Sequence, residues 1–114
     1  MKKIVITVGA GFTAGGMKLS ERDLTLAREK AQAHLLRMYG GFTLTHGQGG
    51  WLDNDGVKVI EPVDIYTIYI RDAVKSPETE AHLTAARICR LYAQQAVVLE
   101  SAANLWFIGE NGAV

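Results

Sequence analysis

One cysteine among 114 residues leaves no partner for an internal disulfide. Cys89 falls in a stretch of helical periodicity that turns it toward the core, so a structural role is expected for it. Histidine is sparse too. His34, His46 and His82 have no cysteine or histidine at ligand spacing and two of them fall on predicted helices, so no metal set is expected and no cofactor is implied. Neither charge is in excess: 12 basic and 12 acidic side chains cancel, and no global field draws in a polyanion. Lys2 with Lys3, and Arg87 with Arg90, read as a solvated strand end and a helix face, so no nucleic-acid partner is expected. No apolar run approaches a membrane span. The short segment Ile4 to Val8 after Met1-Lys2-Lys3 falls below the apolar region of a signal peptide. A cytoplasmic protein without a membrane partner is expected. Nucleophilic triads are missing as well, because the serines and threonines fit capping, turn and strand positions.

What is present is an ordinary globular composition, 48% apolar and 21% charged, in a length that suits a single domain over 1–114. Ile4 to Val8 is β-branched and reads as a strand, closed by glycines at 9, 11, 15 and 16. Ser20 with Asp23 has capping-box spacing, and Leu24, Ala27, Ala31, Leu35 and Met38 recur at helical intervals, which predicts a helix from Glu21 to Tyr39 ended by Gly40-Gly41. Phe42 to Thr45 starts a second strand that continues toward a hairpin turn at Asp53-Asn54-Asp55-Gly56. Val57 to Arg71 is a third, with Pro62 marking an edge, bend or bulge. Ser76-Pro77-Glu78 opens a second helix whose buried stripe is Ala81, Ala85, Ile88, Cys89 and Tyr92. Two short strands, Ala96 to Leu99 and Leu105 to Ile108, follow through a link at Ser101-Ala102-Ala103-Asn104.

That order predicts an α+β fold: a ferredoxin-like βαββαβ sandwich with one extra C-terminal strand and two helices on one face of an antiparallel sheet. The strands are apolar on both sides. Val63 and Ile65 oppose Ile68 and Ile70, and Leu105 and Phe107 oppose Trp106 and Ile108, whereas a sheet open to water alternates apolar with polar residues. Leaving such side chains exposed forfeits about 1.5 to 3 kcal/mol for each large one. A second copy of the chain is the simplest cover, so a homo-oligomer is expected.

Two segments could carry chemistry. Gly9-Ala10-Gly11-Phe12-Thr13-Ala14-Gly15-Gly16 follows a strand, but Ala14 stands at the third glycine of a dinucleotide fingerprint and the helix begins too late to face a pyrophosphate. A nucleoside-binding loop and a plain connection both fit it. The other is Gly47-Gln48-Gly49-Gly50-Trp51-Leu52-Asp53 with Glu61-Pro62. Its glycines weaken a strand and imply a close approach of backbone or ligand. Glu61 stands where the strand departs from regular pairing. Glu100 is a second acid in an apolar strand, where edge residues outnumber catalysts.

Tyr39-Gly40-Gly41-Phe42-Thr43, then Gly47-Gln48-Gly49-Gly50-Trp51, Asp53, Gly56 and Glu61-Pro62, resembles a family of small phage-encoded proteins that includes the S-adenosylmethionine lyases. Ala85 to Leu91 and the strand Val97 to Glu100 are similar to that family's second helix and following strand. The resemblance implies a trimer that binds S-adenosylmethionine between subunits and cleaves it to 5'-methylthioadenosine and homoserine lactone. The substrate's own carboxylate is the nucleophile, so the absence of a triad is no objection. It implies that Glu61 matches the family's functional glutamate and favours the reactive pose. Tyr66, Tyr69 and Glu100, with the loop Gly9, Ala10, Gly11, Phe12 and Thr13, are then the candidates to contact substrate. Depleting the methyl donor would blunt methylation-dependent host defence. Two other classes fit the same residues: a non-catalytic trimer binding a nucleotide-like ligand at subunit clefts, as nitrogen-regulatory trimers do, and an accessory protein docking a host protein through its apolar surface.

Overall fold

A computed structural model describes residues 1–102 and 104–114. Ala103, in the expected link between the last two long strands, lies outside the described residues. The first helix is set by its ends. Ser20 Oγ accepts a hydrogen bond from the Asp23 amide at 3.0 Å, and Gly40, at φ 76°, takes the left-handed position that closes the last turn. Helix α1 therefore runs Glu21–Tyr39, burying Ala27, Ala31 and Leu35. Met38, expected on the same stripe, is half-exposed. Helix α2, Pro77–Leu91, has its proline in the first turn as expected, but Ser76 is left-handed at φ 52° and its side chain makes no cap bond. Its buried stripe includes the expected Ala81, Ala85, Ile88 and Cys89.

The strands are β1 Lys2–Gly9, β2 Thr43–Leu52, β3 Lys58–Ile70, β4 Val97–Ser101, β5 Asn104–Gly109 and β6 Gly112–Ala113. They form one antiparallel sheet in the order β2-β3-β1-β4-β5-β6. Its first four strands have the ferredoxin-like arrangement, and both helices contribute to one core with Ile4, Ile6, Val8, Tyr66, Ile68, Ile70, Val97, Leu99 and Ile108. The chain thus ends in two added strands where one was expected. The missed one is only two residues long, turned back by Gly112 at φ 112°.

The hairpin between β2 and β3 turns as expected: Asp53 Oδ1 accepts from the amides of Asp55 and Val57, and Gly56 is left-handed at φ 76°. The glycines belong to β2 itself. A Cβ on Gly49 would stand 2.9 Å from Val63 Cγ1, so the close approach inferred from sequence there is by a neighbouring side chain. Pro62 does not bend β3 out of register, since pairing with β2 runs from Thr67 to Lys58 without interruption. Its carbonyl accepts from the Ala10 amide at 2.9 Å, just past the last β1 pair, Gly9 with Val63. N–H and C=O of one strand residue point to the same side, so the donor that proline lacks falls where the β1 ladder ends.

On the face away from the helices, rows of paired residues cross the sheet. Leu105, Glu100, Val5, Thr67 and Thr43 make one row, and Phe107, Val98, Thr7, Ile65 and Thr45 the next. Leu105 and Phe107 are each 55% exposed. Among the described residues no helix is long and apolar enough to cross a membrane.

Candidate functional site

Glu61 is 2% exposed, although it lies on a strand segment that β1 no longer covers. The loop leaving β1 explains this. A Cβ on Gly11 would stand 2.9 Å from Glu61 Cβ, and one on Gly9 would overlap Glu61 Oε1. Two missing side chains thus make the space in which the carboxyl lies. The Phe12 amide donates to Glu61 Oε2 at 3.1 Å, while Oε1 is buried with no hydrogen-bond partner. Burial pushes the Glu61 carboxyl above its ordinary value, opposed by the Phe12 amide.

The loop itself is ordered by its backbone. The Leu19 amide donates to Gly11 O, Phe12 bridges to Lys18, and the Thr13 amide donates to Met17 O at 2.7 Å, which makes a small hairpin of the segment expected as a glycine loop. This hairpin is tied to the end of α2. Gln94 Nε2 donates to Phe12 O at 2.6 Å and to Tyr92 O at 2.9 Å, and the Ala14 amide donates to Ala93 O at 2.7 Å.

Of the residues singled out from sequence, the structure brings together Gly9, Ala10, Gly11 and Phe12 with Glu61, with Thr13 next along the loop. It does not gather the rest. Tyr66 faces the helices, fully buried, with its hydroxyl 2.6 Å from that of Tyr92. Tyr69 is half-exposed and takes the opposite parity on β3. Glu100 is exposed, in the row that meets β3 at Thr67. That row is six residues along β3 from Glu61, or about 20 Å at about 3.3 Å per residue. One chain therefore does not unite Glu61 with Glu100.

Sequence reasoning missed a second polar cluster on the helix side of β3. Asp64 is fully buried and takes two bonds from Arg28, Nε to Oδ2 at 2.8 Å and a terminal nitrogen to Oδ1 at 2.9 Å. The Tyr92 hydroxyl donates to Oδ2 at 2.7 Å, and His46 Nδ1 lies 2.9 Å from Oδ1. Burial alone would raise the Asp64 carboxyl, but bonds from Arg28, Tyr92 and His46 outweigh it and hold the group below its ordinary value. A signal existed. Asp64 shares the parity of Tyr66, Ile68 and Ile70, and an acid on a buried face requires a cation from the layer above.

The two acids respond to pH with opposite sign. An acid raised on folding is ionised first in the unfolded chain, so as pH climbs past about 4.5 the Glu61 carboxyl lowers stability until it ionises in the folded state as well. Glu61→Gln removes that cost, and its amide can keep the Phe12 bond while placing a donor where Oε1 had no partner. A gain of about 1 kcal/mol at pH 7 is expected, vanishing below pH about 4. Urea denaturation at both pH values checks it.

No family model and no curated protein matches the chain. Among solved structures it is similar to a phage SAM lyase in complex with S-methyl-5'-thioadenosine, with a TM-score of 0.72 and 13% sequence identity over 95% of this chain and 88% of that one. It is also similar to a phage SAM lyase in the apo state, with a TM-score of 0.68 and 12% identity over the same shares of the two chains. At such identity the likeness establishes the fold alone, in this chain two helices on a six-stranded antiparallel sheet.

Proposed function

We propose that this chain, acting as one domain, is an S-adenosylmethionine lyase. The observation that carries the reading is the carboxyl of Glu61, buried under the Gly9–Thr13 loop with one oxygen free, in a fold like that of a lyase bound to S-methyl-5'-thioadenosine. In the proposed reaction a carboxylate oxygen of the substrate attacks the side-chain carbon next to the sulfonium. The new C–O bond closes homoserine lactone as the C–S bond breaks, and its electron pair stays on sulfur in 5'-methylthioadenosine. Atoms and charge balance without water. Nucleophile and leaving group already belong to one molecule, so the protein's task is to hold the near-attack conformer that the free substrate seldom adopts. A carboxylate that only stabilised the sulfonium would favour the ground state, so the role proposed for Glu61 is positioning the reactive pose.

The separation of Glu61 from Glu100 and Tyr69 in one chain supports the oligomeric part of the proposal. Substrate bound between copies, in a trimer, could meet Glu61 of one and Glu100 of the next. The half-exposed Leu105 and Phe107, with Val5 and Ile65, offer an apolar face for that contact. Location in the host cytoplasm, with depletion of the methyl donor against methylation-dependent defence, belongs to the same proposal.

The same fold and the same buried Glu61 fit a second reading, a non-catalytic oligomer that binds S-adenosylmethionine or a nucleotide and returns it unchanged. Incubation of the purified protein with S-adenosylmethionine, without added metal, separates the two. The lyase reading expects methylthioadenosine and homoserine lactone in equal amounts above the spontaneous background. Tight binding with no product would replace it with the second.

A further inference from the structure

Resting on the reading of Glu61 as the group that positions the substrate, we propose that Gln94 is a positioning residue for it. Its amide hydrogens pin the Gly9–Thr13 loop to the end of α2, and its amide oxygen faces the Glu61 carboxyl and favours its protonated form. Nothing in the sequence marked Gln94, which follows the second helix in an unremarkable polar pair.

The orientation of this amide is determined by its neighbours. Nε2 lies 2.6 Å from Phe12 O and 2.9 Å from Tyr92 O, both carbonyls that can only accept, so the nitrogen must stand there and Oε1 on the other side. That oxygen would be 2.7 Å from a Cβ on Gly9, the same Cβ that would overlap Glu61 Oε1. Two oxygens thus converge on the space that glycine leaves. An acceptor facing an ionised carboxylate is repelled, whereas facing a protonated carboxyl it can receive the O–H bond that Glu61 Oε1 lacks.

Gln94 is itself rigidly placed. Its amide donates to Cys89 O at 3.0 Å, and the Cys89 thiol donates to Gln94 O at 3.1 Å. Ala93 before it is left-handed at φ 53°, a conformation unfavourable for alanine, and its carbonyl takes the Ala14 amide. The end of α2 therefore grips the loop at two points, and through the Phe12 amide the grip reaches Glu61 Oε2. The other groups facing Glu61 are Gly9, Gly11 and the adjoining Pro62. Asp64, with Arg28, His46 and Tyr92 bound to it, takes the opposite parity on β3, and no charged group among the described residues adds to the Glu61 shift.

The test uses ligand-free protein: carboxyl carbon-13 titration of Glu61 and amide exchange at Phe12, in wild type, Gln94→Leu and Gln94→Glu. Gln94→Leu loses the tether and the facing oxygen, so Phe12 exchange is expected to accelerate about fivefold, the loss of one neutral hydrogen bond, and the Glu61 midpoint to fall. Gln94→Glu places a second acid against Glu61, so the midpoint is expected to rise, while Phe12 protection is lost at neutral pH and returns relative to wild type as the new carboxyl gains a proton to donate. Shifts of opposite sign separate positioning from a merely structural role, which would move both variants the same way. Should Gln94→Leu fail to fold, the isosteric Gln94→Glu carries the test. An unchanged Glu61 midpoint in the folded variants, or Phe12 protection retained, overturns the proposal. Neither readout involves turnover, so failure of the lyase reading would leave this result standing, and the reverse.

Discussion

Gly9→Ala is expected to lower turnover of S-adenosylmethionine about 100-fold, the loss that a misplacement of about 1 Å in a positioning group can produce. The backbone accepts alanine, since Gly9 is absent from the left-handed residues. The cost comes from contact. The new methyl group overlaps Glu61 Oε1 and stands 2.7 Å from Gln94 Oε1, so the carboxyl or the loop above it must move. Overpacking of this kind costs about 1 to 3 kcal/mol, and urea denaturation should register it alongside the rate. Gly15→Ala is the control, because a Cβ there meets only Thr13 Oγ1 at 3.8 Å, and it should match wild type in both. Wild-type turnover and stability in Gly9→Ala would mean that the carboxyl does not occupy this cradle.

Arg28→Met should produce the largest change in stability. Asp64 is fully buried and takes two of its bonds from the Arg28 guanidinium, which is itself partly exposed. Removing the guanidinium from a buried pair leaves the Asp64 carboxylate with only the Tyr92 hydroxyl and the His46 imidazole, at a cost of about 3 kcal/mol at pH 7. The sign of the pH dependence identifies the cause. The Asp64 carboxyl is held below its ordinary 3.8 in the folded state, so its contribution is complete above that value and is lost as pH falls through the lower folded value. Without Arg28 less opposes the burial that raises this carboxyl, so the gap between wild type and Arg28→Met should start to narrow where the variant's folded carboxyl takes its proton and close as pH falls through the lower wild-type value. A gap constant down to the acid transition would assign the loss to packing of the arginine stem instead.

Much of the fold was legible because each element carried its own punctuation. Ser20, Gly40, Pro77 and Gly56 each stand at a boundary the structure observes, and alternation in β3 divided its apolar residues between the two faces as expected. The expectation departed from the structure in local detail: the cap bond expected before the second helix, and one short strand. Ser76 has a capping residue's chemistry but a left-handed backbone, and β6 is too short for any periodicity. The site was half legible. Glu61 and the first glycine loop could be singled out as residues, but their meeting depends on β1 ending at Gly9 while β3 runs on toward Lys58. Tyr66 and Tyr69 looked equivalent until strand parity separated them. Asp64 could have been found by the same parity. Gln94 could not, because its importance lies in carbonyls contributed by Phe12 and Tyr92, and backbone acceptors leave no trace in a sequence.

The most direct test of the functional claim is turnover of S-adenosylmethionine by Glu61→Gln, measured beside its binding and its stability at pH 7. If Glu61 positions the substrate, the variant should be as stable as wild type or more so, should still bind, and should form methylthioadenosine and homoserine lactone at a small fraction of the wild-type rate. Full turnover by the folded variant would contradict that role for Glu61.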